Sequence, residues 1–128
     1  MIKDDFKNVI NRLQVEDTSK MDIWTNQLGV ETLFIVSDEG TDIYVKYFPR
    51  KTLTISRIGF NKQRIGLGTY FLNECKEICK KYNFDKIVFE SVCTDSMIDF
   101  CKKHEFTLQD NYFDSKYGNY ILELNKEN

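Results

Sequence analysis

A chain of 128 residues is near the commonest size for one domain, so it can bury a single core and has little length left for a second. Hydrophobic residues at 41% and aromatic residues at 14% exclude an intrinsically disordered chain. Lys and Arg number 18 against 20 Asp and Glu, and the net charge of -2 gives no footing to a nucleic-acid or membrane-surface role while suiting a cationic or amine partner.

The opening Met1-Ile2-Lys3-Asp4-Asp5 brings acids at once and lacks the apolar core of a signal peptide, which points to the cytoplasm. Phe6, Val9, Ile10 and Leu13 recur at i, i+3, i+4, i+7 and predict a helix from about Ile2 to Gln14. A second helix is expected after Asp17-Thr18-Ser19, any of which can cap it. It would carry Met21, Trp24 and Leu28 until Gly29 stops it. From Glu31 the period becomes that of strands. Glu31 to Ser37 and Thr41 to Tyr47 form a hairpin about Asp38-Glu39-Gly40, closed by Pro49. Apolar runs such as Thr32-Leu33-Phe34-Ile35-Val36 are strand-sized, far short of the roughly 20 residues of a membrane helix, so no span is expected. Lys51 to Phe60 reads as a third strand, rich in the β-branched residues that suit a pleated surface.

Leu67, Tyr70, Phe71, Glu74, Cys75, Ile78 and Cys79 mark a helix to about Tyr82, with Asn83 as a left-handed cap. Lys86 to Val92 follows as a short strand with a buried middle at Ile87-Val88-Phe89. Such a strand-helix-strand unit implies a right-handed parallel crossover. A helix from about Asp95 to His104 carries Ile98 and Cys101 on one face. Thr107 to Phe113 and Asn119 to Leu124 then close the chain as two strands around Asp114-Ser115-Lys116-Tyr117-Gly118. The fold class is α/β (α+β): one domain over residues 1–128 with a mixed central sheet, in the order helix, helix, strand, strand, strand, helix, strand, helix, strand, strand. Cys75, Cys79, Cys93 and Cys101 form no CxxC pair and read as reduced thiols, so no metal is expected.

The chemistry is expected between the third strand and the helix that follows it. Gly66 and Gly68 of Gln63-Arg64-Ile65-Gly66-Leu67-Gly68 let backbone N–H groups approach a ligand at a helix start, where the helix dipole favours a phosphate. Lys62 and Arg64 add suitable charge. The spacing is neither the GxGxxG of dinucleotide folds nor a P-loop, and on its own it is equally a tight turn without a ligand.

The run from Leu53 to Thr69, with the helix, strand and helix that end at His104-Glu105-Phe106, resembles the GNAT superfamily of N-acetyltransferases over roughly Lys51 to Leu124. Gln63 to Gly68 matches that family's Q/R-x-x-G-x-G/A pyrophosphate loop. The resemblance implies acetyl-coenzyme A as cosubstrate, its pyrophosphate on backbone N–H groups of Arg64 to Thr69 together with Gln63. It further implies pantetheine along the third strand near Arg57, Ile58 and Gly59, in a gap where that strand splays from Lys86 to Val92. Where the family reads N-x-x-A-x-x-F-Y-x-K-x-G-F this chain has Thr94 to Phe106. Thr94 stands at the asparagine position and counts with the cofactor-binding residues. Cys101 replaces the tyrosine that protonates the leaving thiolate, and Glu105 replaces the glycine. The family's opening strand is missing from the pattern of the first thirty residues.

Amide formation needs a base and a donor to the carbonyl oxygen. Glu90, the acid within the inner strand pair, is the base candidate, since a buried carboxylate of raised pKa would suit the task; alternation also allows it to point outward with Val88 and Val92. The oxyanion donor would be a backbone N–H near Ile58. Cys101, with a reference thiol pKa near 8.5, is either the acid or a small core residue. His104 is favoured as a charged helix cap over a base. Tyr112, Phe113, Tyr117 and Tyr120 would line an acceptor pocket, form a homodimer face, or simply pack, with Tyr117 able to reach the site. The function expected is acetyl transfer to a primary amine of a small molecule or protein by direct attack. The alternative is a catalytically degenerate coenzyme A-binding or protein-interaction module of the same fold.

Overall fold

The computed structural model describes residues 1–26, 28–47, 51–61, 66–109 and 115–124. Within them the chain forms α1 (Ile2–Asp5), α2 (Lys7–Glu16), β1 (Met21–Asn26), β2 (Thr32–Ser37), β3 (Asp42–Lys46), β4 (Thr52–Arg57), α3 (Leu67–Tyr82), β5 (Lys86–Val92), α4 (Asp95–Lys103), β6 (Thr107–Leu108) and β7 (Gly118–Glu123). The strands make one mixed sheet in the order β1-β2-β3-β4-β5-β7-β6. β4 and β5 are parallel neighbours, as the strand-helix-strand pattern predicts, and every other pairing is antiparallel.

One expected element is of the wrong type. Residues after Ser19 form the edge strand β1, not a second helix, and this supplies the opening strand the sequence pattern lacks. The reason is a period of two. Met21, Ile23 and Thr25 are half-buried while Asp22, Trp24 and Asn26 are exposed, so Met21 and Trp24 lie on opposite faces, and Leu28 is 91% exposed beyond the strand. β-branched and aromatic side chains at Ile23, Trp24 and Thr25 favour that pleat. The first predicted helix exists but breaks at Phe6 (φ -97°, ψ 14°) into α1 and α2, and Ile2, Phe6, Val9, Ile10 and Leu13 are buried.

α2 lies against α3 through the rings of Phe6 and Phe71, 5.9 Å apart, and Arg12 stacks over Tyr70. These helices cover the sheet face carrying Leu33, Ile35, Ile43, Val45, Leu53 and Ile55, all of them buried. Asn83 ends α3 in the left-handed conformation (φ 59°), with Phe84 N donating to Cys79 O at 2.8 Å, which is the predicted cap. β6 is shorter than expected, and residues 110–113 of that expected strand, with Tyr112 and Phe113, lie outside the described residues, as does Pro49. All four cysteines are free thiols, Cys93 exposed and the others buried.

The turn end of the β2–β3 hairpin is held by a buried carboxylate. Asp17, 3% exposed, accepts hydrogen bonds from Ser19 N (3.0 Å), Ser19 Oγ (2.5 Å), Ser37 Oγ and Thr41 Oγ1 (2.6 Å). Burial alone would raise its pKa, but these donors outweigh burial and hold the carboxyl well below the ordinary range. A depressed native pKa gives stability that is present above the unfolded value, near 3.9, and lost as the pH falls through the native one. Asp17→Ala should therefore lose about 3 kcal/mol at neutral pH, because it strands several buried donors. In urea unfolding, the wild type should lose stability steeply below about pH 4 while Asp17→Asn shows a shallower acid dependence.

Candidate functional site

Parallel pairing between β4 and β5 runs from Thr52↔Lys86 to Ile55↔Phe89 and then stops. Both strands lose their regular register there. β4 pairs Ile55 with Val45 and then Arg57 with Tyr44, leaving Ser56 as an extra residue. β5 pairs Phe89 with Tyr120 and then Val92 with Gly118, which places an extra residue in Glu90-Ser91, and Ser91 adopts φ 53°. Bulges of this kind bend and twist a strand away from its neighbour. The two strands part into a cleft of about 820 Å³ whose walls include Ser56, Ile58, Glu90, Thr94, Met97 and Phe100.

The glycine turn opens onto the same cleft. Gly66 is the N-cap of α3 in the left-handed conformation (φ 79°, ψ 10°), which glycine adopts without strain. No side-chain cap closes that helix end among the described residues, so the amides of its first turn lack intrahelical partners. Among the described residues a Cβ built on Gly66 would meet nothing within 4 Å, so the space beside it is open. Gly68 serves packing: a Cβ there would lie 3.1 Å from Cε1 of Phe100, so its absence lets α4 come against the start of α3.

The upstream side of the turn is anchored by the Asp17 cluster, since Thr41 Oγ1 also accepts from Asn61 N at 3.3 Å. Asp42 N donates to Gly59 O at 2.9 Å, tying β3 to the same loop.

Of the residues expected to hold a cofactor, Arg57, Ile58, Gly59, Gly66, Leu67, Gly68, Thr69 and Thr94 border the cleft. Gln63, Arg64 and Ile65 lie outside the described residues, as does Lys62. Arg57 has its Nε 2.6 Å from Asp42 Oδ2 and its guanidinium 5.7 Å from the Tyr44 ring, with 61% of the side chain exposed. Thr94 also caps α4, its Oγ1 accepting from Met97 N at 3.2 Å.

Glu90 borders the cleft too, but not as the buried carboxylate expected. Its side chain is 36% exposed, and Oε1 accepts from Ser56 Oγ at 2.8 Å and faces Lys46 Nζ at 3.4 Å. Of the two readings of Cys101, its placement favours the core residue over the acid. It is fully buried, lies outside the cleft wall, and burial pushes its thiol up to about 12. That placement makes it a core residue. His104 caps α4 as expected, but burial first, then Lys103 and Lys76, lower its pKa, which disfavours the charged form, and its ring packs 4.5 Å from Phe100. Tyr120 is buried with Oη donating to Lys116 O at 2.7 Å. Tyr117, 43% exposed, reaches Asp95 Oδ1 at 3.4 Å and lies outside the cleft wall.

Ser56 and Lys46 were not singled out by the sequence. Ser56 gains its position from a bulge, which leaves no mark in residue spacing. Lys46 reaches the site by a register that pairs it with Thr54 across β3 and β4. Among the described residues no group of three or more His, Cys, Asp or Glu could hold a metal ion, and no helix is long and apolar enough to cross a membrane.

No protein-family model matches the sequence, and no curated protein matches it at a significant level. Solved structures do resemble it. The PaiA N-acetyltransferase of Thermoplasma acidophilum, determined with coenzyme A, is 17% identical, and the match covers 96% of this chain and 75% of that one at a TM-score of 0.57. The IAA acetyltransferase of Bacillus cereus is 18% identical over 74% of this chain and 78% of its own, at 0.55. A GNAT family acetyltransferase from Elizabethkingia anophelis with acetyl-CoA bound is 14% identical over 81% and 98%, at 0.54. The architecture is thus the GNAT fold, with the parted parallel pair and glycine turn at one end of the sheet.

The contact at Gly68 yields a packing test. Gly68→Val should lose about 1–3 kcal/mol of stability from overpacking against Phe100. In the double variant with Phe100→Ala the loss should be smaller than the sum of the single losses, read as a positive coupling in urea unfolding.

Proposed function

We propose that this chain is an acyl-coenzyme A-dependent N-acyltransferase acting on a primary amine. The observation that carries the reading is the coincidence, in one cleft, of a parted parallel strand pair and a helix N-terminus that no side chain caps among the described residues. Such a helix start suits a diphosphate through its free amides and dipole. The residues that would hold it are Gly66, Leu67, Gly68 and Thr69, with Gln63, Arg64 and Ile65 just before them. Arg57, Ile58 and Gly59 at the end of β4 would present backbone groups to an amide-bearing arm, as a free strand edge does. Bound there, an acyl-coenzyme A would supply an activated acyl thioester.

The chain's own residues then have separable tasks. Glu90 takes a proton from the incoming amine, since its carboxylate borders the cleft and Ser56 and Lys46 fix its orientation. The backbone N–H near Ile58 donates to the carbonyl oxygen as its charge grows. With Cys101 buried in the core, the departing thiolate takes its proton from water at the cleft or from Glu90.

A second reading is favoured by one observation: the position of the family's acid tyrosine is filled by a core cysteine. On that reading the chain binds coenzyme A, or only a protein partner, without turnover. Calorimetric titration with acetyl-coenzyme A separates these outcomes, and absence of binding at millimolar ligand would sink both coenzyme-dependent readings. Thiol release assayed with polyamines, aminoglycosides and peptides should detect turnover. Glu90→Gln should then lower kcat by about 10²-fold or more while leaving coenzyme affinity nearly unchanged.

A further inference from the structure

One amine of the chain is already held against a carboxylate that lines the cleft, although its own residue is not part of the lining. Lys46 lies on the sheet face opposite Leu53 and Ile55. It is paired with Thr54 on β4, which in turn pairs with Val88 on β5. The side chains between Lys46 and Glu90 are therefore the small Thr54 and Ser56, and the lysine crosses them to bring Nζ within 3.4 Å of Glu90 Oε1. Lys46 is 26% exposed, whereas Lys81 and Lys116 are 63% and 56% exposed and pair with Asp5 and Asp95, carboxylates that do not line the cleft. A free acceptor amine would have to come to this same carboxylate. Lys46 already stands where the proposed base can accept its proton.

We propose that Lys46 is a self-acylation site: with an acyl thioester of coenzyme A in the cleft, the chain transfers the acyl group to its own Nζ. The inference rests on the acyltransferase reading. The Lys46 ammonium gives one proton to the Glu90 carboxylate, and the freed lone pair forms the N–C bond to the thioester carbonyl carbon. The C–S bond breaks with its electrons going to sulfur. The thiolate takes the proton from Glu90, and the second proton lost by nitrogen passes to water. The products are Nζ-acyl-Lys46, coenzyme A thiol and one released proton. The acylated lysine is neutral, so Glu90 loses its counter-ion.

Proximity distinguishes this step from chemical acylation, which favours exposed amines. The full chain is incubated with acetyl-coenzyme A, or with acetyl phosphate as a donor lacking the coenzyme, and site occupancy is read by peptide mass spectrometry. With acetyl-coenzyme A, Lys46 should label about a hundredfold faster than the exposed Lys76 and Lys80, at a rate independent of protein concentration. With acetyl phosphate the exposed lysines should label first. Glu90→Gln should slow Lys46 labelling about a hundredfold, and Lys46→Arg, which keeps the charge, should abolish label at this position while binding coenzyme A as the wild type does. Labelling of Lys46 no faster than Lys76, or preference for Lys103 across the cleft, in a protein shown by calorimetry to bind coenzyme A, overturns this inference alone. Absence of coenzyme binding overturns it together with the reading beneath it.

Discussion

The site depends on where a parallel strand pair ceases to be one. β4 and β5 exchange ladder bonds from their first residues to Ile55 and Phe89, and no partner of β5 faces β4 beyond that point. Neither strand is released from the sheet, because β4 stays paired to β3 through Arg57 and β5 to β7 through Val92. Each strand absorbs one extra residue on its outer side, and the two bulges turn the facing edges apart. Ser91 at φ 53° carries backbone strain on the order of 1–3 kcal/mol, sustained by the pairing on either side of it. Main-chain groups that would have met across a regular ladder therefore face the cleft.

A gap of this kind would close or fray unless both ends were fixed. At the open end the Asp17 cluster ties the α2–β1 connection to the β2–β3 turn and, through Thr41, to the loop leading into α3. At the closed end Asp5 does comparable work. Its carboxylate accepts from Tyr47 Oη at 2.7 Å, from Tyr82 Oη at 2.7 Å and from Lys81 Nζ at 3.0 Å, joining α1 to the segment after β3 and to the last turn of α3. The rings of Tyr47, Tyr82 and Phe84 pack together beside it. The helices that precede the sheet in sequence thus brace its two ends, which explains why they bury Ile2 and Phe6 completely.

Much of this was legible in the sequence because its signals were periodic. The 3.6-residue stripe of α3, its left-handed Asn83 cap, the apolar middle of β5 and the parallel crossover all follow from spacing. Residues 21–26 were misread because three apolar residues happened to fall at helical intervals while the operative alternation was half-hidden by the exposed Trp24. At the site, Gly66 was readable because a left-handed cap needs glycine. Gly68 was readable too, although its described constraint is the Phe100 ring. The bulges at Ser56 and Ser91 were not, since they arise from register with neighbouring strands and involve ordinary residues. Helical spacing places Cys101 and His104 on α4 but says nothing about how deeply α4 sinks against Phe89, so it left open whether Cys101 is core or acid and whether His104 is charged.

The Ser56, Glu90 and Lys46 contacts are better understood as orientation than as stability. A half-exposed lysine–carboxylate pair contributes on the order of 0–1 kcal/mol, too little to explain why β3, β4 and β5 each place a polar side chain at one point. Both donors converge on Oε1, and a carboxylate has further lone pairs on its other oxygen to receive a third donor. A carboxylate fixed in this way at the border of a cleft is held in one orientation, with its other oxygen left for a further donor. The bulge that opens the cleft is also what sets Ser56 against Glu90, so the same departure from regular pairing creates the cleft and orients a carboxylate on its wall.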